Sequence, residues 1–102
     1  MVVNRYARGR EREYRTMNIL KHEGWLVARS AASHGAVDVF AAKEGKLLLV
    51  QVKSGKSRVK KEELEKLVSW GKNSNGDAEV WHFRGGRKME RRRVYAAKRR
   101  PP

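Results

Sequence analysis

The sequence predicts a single α/β domain with a mixed central sheet, in the order α-β-β-β-α-β-β. Two stretches carry apolar residues at helical spacing, and five stretches are rich in strand-forming residues. Turn-forming residues, several of them glycine, separate most of these stretches. A length of 102 residues fits one domain, so residues 1–102 are predicted to form it. Residues 1–7 and 98–102 are expected to be flexible basic arms.

The two helices are predicted over residues 8–22 and 59–72. In the first, Tyr14, Met17 and Leu20 lie within one arc at helical spacing and are expected to form its buried stripe. The second also has an apolar face at helical spacing. The strands between and after these helices complete the predicted α/β order.

The five strands are predicted over residues 25–30, 36–42, 47–53, 78–83 and 88–97. Residues 47–50 are apolar without alternation, which indicates a central strand covered on both faces. Glu44 and Gly45 predict the turn that leads into this strand. Trp81 and Phe83 share one face of the fourth strand, and we expect them to lie on a dimer surface.

The charge balance favours a polyanionic partner. Lys and Arg number 25 against 11 acidic residues, for a formal net charge of +14, which attracts nucleic acid by long-range attraction and counterion release. No cysteine is present, which excludes a disulfide scaffold and a thiolate zinc site and fits a cytoplasmic protein. No apolar run is long enough to span a bilayer, so no membrane partner is expected.

Asp38, Gln51 and Lys53 are the candidate chemical group. Asp38 is a carboxylate inside an apolar strand, while Gln51 and Lys53 lie on one face of the next strand. A hairpin brings the three together. Oxygen ligands for Mg²⁺ beside a lysine are what phosphodiester cleavage needs, since the ion polarises the phosphate and the lysine orients water or neutralises charge. The alternative is a structural ion pair between Asp38 and Lys53.

The segment Gly55-Lys56-Ser57 is similar to the end of a phosphate-binding P-loop. The glycine that such a loop requires five positions earlier is absent, because Val50 stands there. No nucleotide cofactor is therefore expected.

Asp38, followed thirteen residues later by Gln51-Val52-Lys53, resembles the core of the PD-(D/E)XK nucleases. Three further segments join this core: residues 9–13 (GRERE), residues 24–30 (GWLVARS) and Val37-Asp38-Val39. With them, the sequence is similar to the archaeal-type Holliday junction resolvases. The likeness covers residues 8–53 by motif and continues by element order.

The resemblance implies a restriction-endonuclease-like fold and a structure-selective endodeoxyribonuclease. Such an enzyme resolves four-way DNA junctions by paired phosphodiester cleavage, as a homodimer, in DNA recombination and repair. The implied cofactor is Mg²⁺, with Mn²⁺ able to substitute. Glu11 is implied as an outer metal or water ligand, Asp38 as a direct ligand, Gln51 as a second ligand aided by the Val52 carbonyl, and Lys53 as the catalytic lysine.

DNA contacts are expected around this centre. The resemblance implies that Arg29, Ser30 and Ser33 lie near the scissile phosphate. Further contacts to the branched double-stranded DNA are expected, from charge and loop position, at Arg8, Arg10, Arg12, His34, Lys56 and Arg58. For the arginines near the first helix, a solvated charged face is the alternative.

One residue departs from the family pattern. The family usually has Glu where this chain has Gln51, and a Gln oxygen can coordinate Mg²⁺ but brings no negative charge. Gln51 therefore leaves a non-catalytic DNA-binding module open. A flap, fork or restriction-type nuclease of the same fold is a second alternative, which differs in substrate.

Overall fold

The computed structural model describes residues 5–31, 35–85 and 88–98, with side chains from residue 9 onward. The elements follow the order α-β-β-β-α-β-β, so the predicted fold class is confirmed. They are α1 (Arg5–His22), β1 (Leu26–Arg29), β2 (Val39–Lys43), β3 (Lys46–Ser54), α2 (Lys61–Ser74), β4 (Asp77–Gly85) and β5 (Lys88–Tyr95).

The five strands form one mixed sheet in the order β1-β2-β3-β4-β5. β3 and β4 are parallel, and the other neighbouring pairs are antiparallel. Parallel neighbours need a crossover connection, and α2 makes it. The central strand is β3, as its apolar run predicts, and Leu48, Leu49 and Val50 are all buried there.

The hairpin of β2 and β3 fixes the register that the site depends on. Glu44 and Gly45 both adopt the left-handed conformation, with φ of 50° and 78°, as a tight two-residue hairpin turn requires. Val39 then pairs with Val50. The turn predicted from the sequence therefore decides which residues of β3 lie beside the start of β2.

Each face of the sheet is covered by one helix. The core on the α1 face includes Leu20 from α1 and Trp81 from β4. The core on the α2 face includes Leu67 from α2 and Val80 from β4. Alternate residues of each strand therefore enter different cores, which places the polar residues of a strand on one definite side of the sheet.

Two predictions about surfaces are wrong. Trp81 and Phe83 do not form a dimer surface, because both are fully buried in the core on the α1 face. A domain this short uses its large aromatic side chains to build its own core. Tyr14 is half exposed rather than buried, while Thr16 and Leu20 are fully buried, so the buried face of α1 is rotated from the predicted one.

The helix boundaries also differ from the predicted ones. α1 begins at Arg5, so residues 5–7, predicted as part of a flexible arm, are helical. α2 begins at Lys61, two residues later than predicted. The remainder of the predicted arms, except residue 98, lies outside the described residues. Neither described helix is long and apolar enough to cross a membrane.

Candidate active site

Asp38, Gln51 and Lys53 lie together on the α2 face of the sheet. Gln51 and Lys53 are alternate residues of β3 and therefore point to the same side. The Asp38 carboxylate accepts a hydrogen bond from the Val52 N–H, with 2.7 Å between Oδ2 and N. The Asp38 N–H donates to the Val50 carbonyl at 2.8 Å, which extends the ladder between β2 and β3. The structure thus brings together the three residues that the sequence singles out, and their roles stay a prediction.

These three residues line a depression between the sheet and α2, with a volume of about 450 Å³. We call it the Asp38 depression. Its remaining lining residues come from α1, from the segment before β2, from β3 and from the start of α2: Glu13, Gly35, Ala36, Val52, Lys60, Glu62, Glu63 and Lys66. Carboxylates from three separate parts of the fold therefore share one depression.

Gln51 is buried in this depression with one of its two polar atoms unpaired. Its side chain belongs to a residue that is only 5% exposed. The Nε2 atom donates to Glu63 Oε2 at 3.4 Å, whereas the Oε1 atom has no hydrogen-bond partner. A buried acceptor left without a donor costs about 1–3 kcal/mol. A cation ligated by this oxygen would remove that cost.

Lys53 forms an ion pair with Glu63 across the edge of the depression. Nζ lies 2.8 Å from Glu63 Oε2, and the side chains are 16% and 31% exposed. The alternative of a structural ion pair between Asp38 and Lys53 is therefore wrong. Burial raises the pKa of Glu63, but hydrogen bonds from Lys53 and from the Lys60 N–H outweigh it and hold this pKa below its ordinary value.

The environment of Asp38 opposes its negative charge. Burial raises the pKa of Asp38 to about 6, and the charges of Glu13 and Glu63 act in the same direction. The hydrogen bond from the Val52 N–H and the charge of Lys53 offset only part of this. A carboxylate that is buried near two others is stabilised by a bound cation.

Glu13, not Glu11, is the carboxylate that α1 brings to the depression. Glu13 lines the depression and pairs with Arg29 at 3.2 Å. Glu11 is exposed and lines a separate groove. Residues two apart on a helix point about 200° from each other, so the prediction for Glu11 is corrected to Glu13. Helical spacing could have predicted that Glu13 is the acid on this side of α1, because Glu13 precedes the buried Thr16 and Leu20 by three and seven residues.

The donors in the depression fit a hard divalent cation. Within residues 5–31, 35–85 and 88–98, no three Asp, Glu, His or Cys side chains already form a metal-binding cluster. An ion here would therefore use the Gln51 amide oxygen and the Val52 carbonyl as well as Asp38. Carboxylate and carbonyl oxygens suit Mg²⁺ and Mn²⁺. The unpaired Gln51 oxygen is the structural observation that supports the fit.

Comparison with known proteins decides the family. The model of the archaeal Holliday junction resolvase family matches residues 4–97. The chain is also 34% identical, over 76 residues, to the crossover junction endodeoxyribonuclease Hjc of Methanocaldococcus jannaschii, a match that covers 72% of this chain.

The chain belongs to the archaeal Holliday junction resolvase family. It spans 56% of the length of the M. jannaschii relative. A solved structure of Archaeoglobus fulgidus Hjc, described as a Holliday junction resolvase, superimposes with a TM-score of 0.75. That match covers 85% of this chain and 73% of the other at 21% identity. This match confirms that the fold described here occurs in the family.

The DNA contacts predicted for this resolvase-family chain lie in several places. Arg29 pairs with Glu13 at the depression, and its guanidinium lies 5.2 Å from the centre of the Tyr14 ring. The Ser30 N–H donates to the Asp38 carbonyl at 2.8 Å. Both residues therefore adjoin the candidate site.

The other DNA contacts predicted on α1 and in the loop before β2 are not found at the Asp38 depression among the described residues. Arg10 is exposed on α1, and Arg12 lies 5.7 Å from the centre of the Phe83 ring. Arg8 is in α1, but its side chain is outside the described part of the structure. Ser33 and His34 also lie outside the described residues. Arg10 and Arg12 are on the helix that carries Glu13 but do not line the Asp38 depression.

A second concave surface adjoins the first and was missed by sequence reasoning. This basic cleft has a volume of about 550 Å³ and shares Lys53 with the Asp38 depression. It is lined by Lys53, Gly55, Lys56, Arg58, Val59, Val80, His82, Arg84, Glu90 and Arg92. Of the predicted contacts, Lys56 and Arg58 fall here. The missed residues of β4 and β5 could have been found from strand alternation, which puts His82 and Arg84 on one face.

Proposed function

We propose that this chain is a metal-dependent, structure-selective endodeoxyribonuclease that resolves four-way DNA junctions by paired phosphodiester cleavage. Its membership of the resolvase family and the name of the M. jannaschii relative support this substrate. The observation that carries the proposal is that the Asp38 depression and the basic cleft adjoin each other and share Lys53 as a lining residue. A cation held in the depression and a phosphate held in the cleft would meet beside that lysine.

Mg²⁺ is the proposed cofactor, with Mn²⁺ able to replace it. The proposed ligands are the Asp38 carboxylate, the Gln51 amide oxygen and the Val52 carbonyl, with Glu13 in the outer position first assigned to Glu11. When bound, such an ion polarises the phosphate and lowers the pKa of a ligated water. The chain itself supplies the oxygen atoms and the burial that favour a cation at this point.

Lys53 has a role of its own in the proposed chemistry. Its ammonium is the cationic group that the depression and the cleft have in common. Placed there, it can orient the attacking water or offset the negative charge that builds up on the phosphate. The electrostatic stabilisation from such a contact is greatest where water is excluded, and the Lys53 side chain is only 16% exposed.

Branched DNA is the proposed partner because the charge and the shape of the surface suit a sugar–phosphate backbone. The net charge of +14 favours binding through counterion release. Contacts to phosphates position a protein by backbone shape and carry little sequence information. A homodimer is proposed because one centre per subunit lets two copies cut opposing strands of a junction. We place this activity in the cytoplasm, in DNA recombination and repair.

A cleavage assay on a synthetic four-way junction tests the proposal. Wild type is expected to cut paired strands with Mg²⁺ or Mn²⁺ and to cut nothing in EDTA. Asp38→Ala is expected to bind the junction without cutting it, because the buried carboxylate is lost. Glu65→Ala, which removes an exposed acid of α2 outside the Asp38 depression, is the matched control and should cut as wild type does. Full cleavage by Asp38→Ala would overturn the assignment.

The neutral Gln51 favours a second candidate, a DNA-binding module without catalysis. That candidate predicts junction binding with no nicks in either metal. Running flap, fork and linear duplexes in the same assay separates the remaining alternative, because faster cleavage of any of these than of the junction would indicate a nuclease of different substrate preference.

A further inference from the structure

Glu63 stands where the carboxylate missing from position 51 would be needed. It comes from the first turn of α2. Its Oε2 atom accepts hydrogen bonds from Lys53 Nζ at 2.8 Å and from Gln51 Nε2 at 3.4 Å. Its Oε1 atom accepts one from the Lys60 N–H at 3.3 Å. The start of α2 thus brings an acid against both polar residues of β3.

The unpaired, buried oxygen of Gln51 gives a second observation. Its Nε2 donates to Glu63, while its Oε1 is buried without a donor. The reverse orientation would place the amide oxygen against the Glu63 carboxylate, which is repulsive. Gln51, which is only 5% exposed, therefore has an unpaired oxygen and lines the depression that Asp38 and Glu63 also line.

We propose that Glu63 is a carboxylate of the metal site and supplies from α2 the negative charge that Gln51 does not bring. The inference rests on the proposed function, because it concerns the same cation. It adds a residue from a different element to the ligand group of Asp38, Gln51 and the Val52 carbonyl.

Charge explains why such a residue is required. With Asp38 as the only charged ligand, a divalent cation would keep a net positive charge in a partly buried site beside Lys53. Glu63 would balance that charge, and its hydrogen bond from Lys53 holds it at the depression. Because its side chain is 31% exposed, Glu63 has room to turn toward a cation.

A purely structural partnership of Glu63 with Lys53 is the competing explanation. It accounts for the ion pair at 2.8 Å but not for the bare Gln51 oxygen in the same depression. The two explanations also differ in what a second substitution does. A charge restored at position 51 can replace a metal ligand on α2, but it does not rebuild the contact between Glu63 of α2 and Lys53 of β3.

Mn²⁺ binding to the full chain without DNA tests the proposal by isothermal titration calorimetry. Glu63→Gln is expected to weaken Mn²⁺ affinity by at least about tenfold, the low end of the range for groups that support a metal. The double variant Gln51→Glu with Glu63→Gln is expected to recover most of that affinity. Glu65→Gln removes the same charge from an exposed α2 position outside the depression and should bind Mn²⁺ as wild type does.

The outcomes decide between the explanations. Unchanged affinity in Glu63→Gln overturns the proposal. A loss that Gln51→Glu does not repair also overturns it, since Glu63 then acts by holding Lys53. Circular dichroism melts of each variant confirm that the folded protein is being titrated. Because no DNA is present, wild type that binds Mn²⁺ but cuts no junction rejects the proposed function while leaving the result for Glu63 intact.

Discussion

The Lys53 ammonium lies 2.8 Å from the Glu63 carboxylate and so joins the end of the central strand to the first turn of α2. The same lysine lines both the Asp38 depression and the basic cleft. Its position therefore depends on how α2 docks on the sheet as well as on β3. The lysine pairs with Glu63, and under the proposed function it would also contact the DNA phosphate.

Lys53→Ala is expected to reduce junction cleavage by about 10²-fold or more, because the cation that offsets charge on the phosphate is lost. Junction binding should change little, since most of the cleft remains. Cleavage under single-turnover conditions and binding by gel shift measure the two effects. Lys46→Ala, an exposed lysine at the other end of β3, is the control and should cut normally. Equal cleavage by both variants would remove Lys53 from the reaction.

Asp38→Asn is expected to stabilise the metal-free protein at neutral pH. The pKa of Asp38 rises from an ordinary value of 3.8 to about 6 on folding. The folded state then binds the proton more tightly, so stability falls as pH rises from 4 through 6. The full cost above pH 6 is roughly 3 kcal/mol, from the free energy of a pKa shift of this size. Asn carries no charge and can still accept the Val52 hydrogen bond.

Urea unfolding in EDTA measures this difference at two pH values. Asp38→Asn should be more stable than wild type at pH 7.5, and the gap should close near pH 4, where wild-type Asp38 is protonated. Added Mn²⁺ should stabilise wild type more than the variant, since only wild type keeps the charged ligand. Equal stability of the two metal-free proteins at pH 7.5 would contradict the raised pKa.

The double variant Arg84→Ala with Arg92→Ala tests the basic cleft. It is expected to weaken junction binding, and the slope of log K against log salt should become shallower by about 0.9 for each phosphate contact removed. Both side chains line the cleft, and neither lines the Asp38 depression. The rate of cleavage at saturating protein should therefore change little.

Lys21→Ala with Lys72→Ala removes the same charge from exposed helix positions outside the cleft and serves as its control. If this control pair lowers affinity and the salt slope as much as the cleft pair does, binding follows net charge and the cleft has no special part in it.

Local patterns were enough to predict the strand half of the candidate site. Asp38, Gln51 and Lys53 come together because a two-residue turn and strand alternation determine where they point. Both are short-range properties of the chain.

The helix half of the site depends on packing that short-range patterns do not determine. Glu63 meets Lys53 only when α2 docks over β3. Glu13 rather than Glu11 faces the depression because Thr16 and Leu20, not Tyr14, set the buried face of α1. Residues two positions apart on a helix point in nearly opposite directions, so predicting which of them faces the site requires the phase of the helix, and packing decides that phase.

Gly71→Ala tests how closely the C-terminal part of α2 packs on β5. Alanine stabilises an exposed helix position by about 1 kcal/mol relative to glycine. At position 71, however, the added Cβ would lie 2.7 Å from Cδ1 of Tyr95 and 3.3 Å from the Gly76 carbonyl oxygen. Overpacking of a buried site costs about 1–3 kcal/mol, so the net effect should be destabilising.

Gly9→Ala in α1 is the matched control, because nothing lies within 4 Å of its Cβ, and it should raise the melting temperature. Thermal melts compare the two. A gain in stability for Gly71→Ala equal to that for Gly9→Ala would show that Tyr95 moves aside easily and that α2 is not packed tightly on β5 at this point.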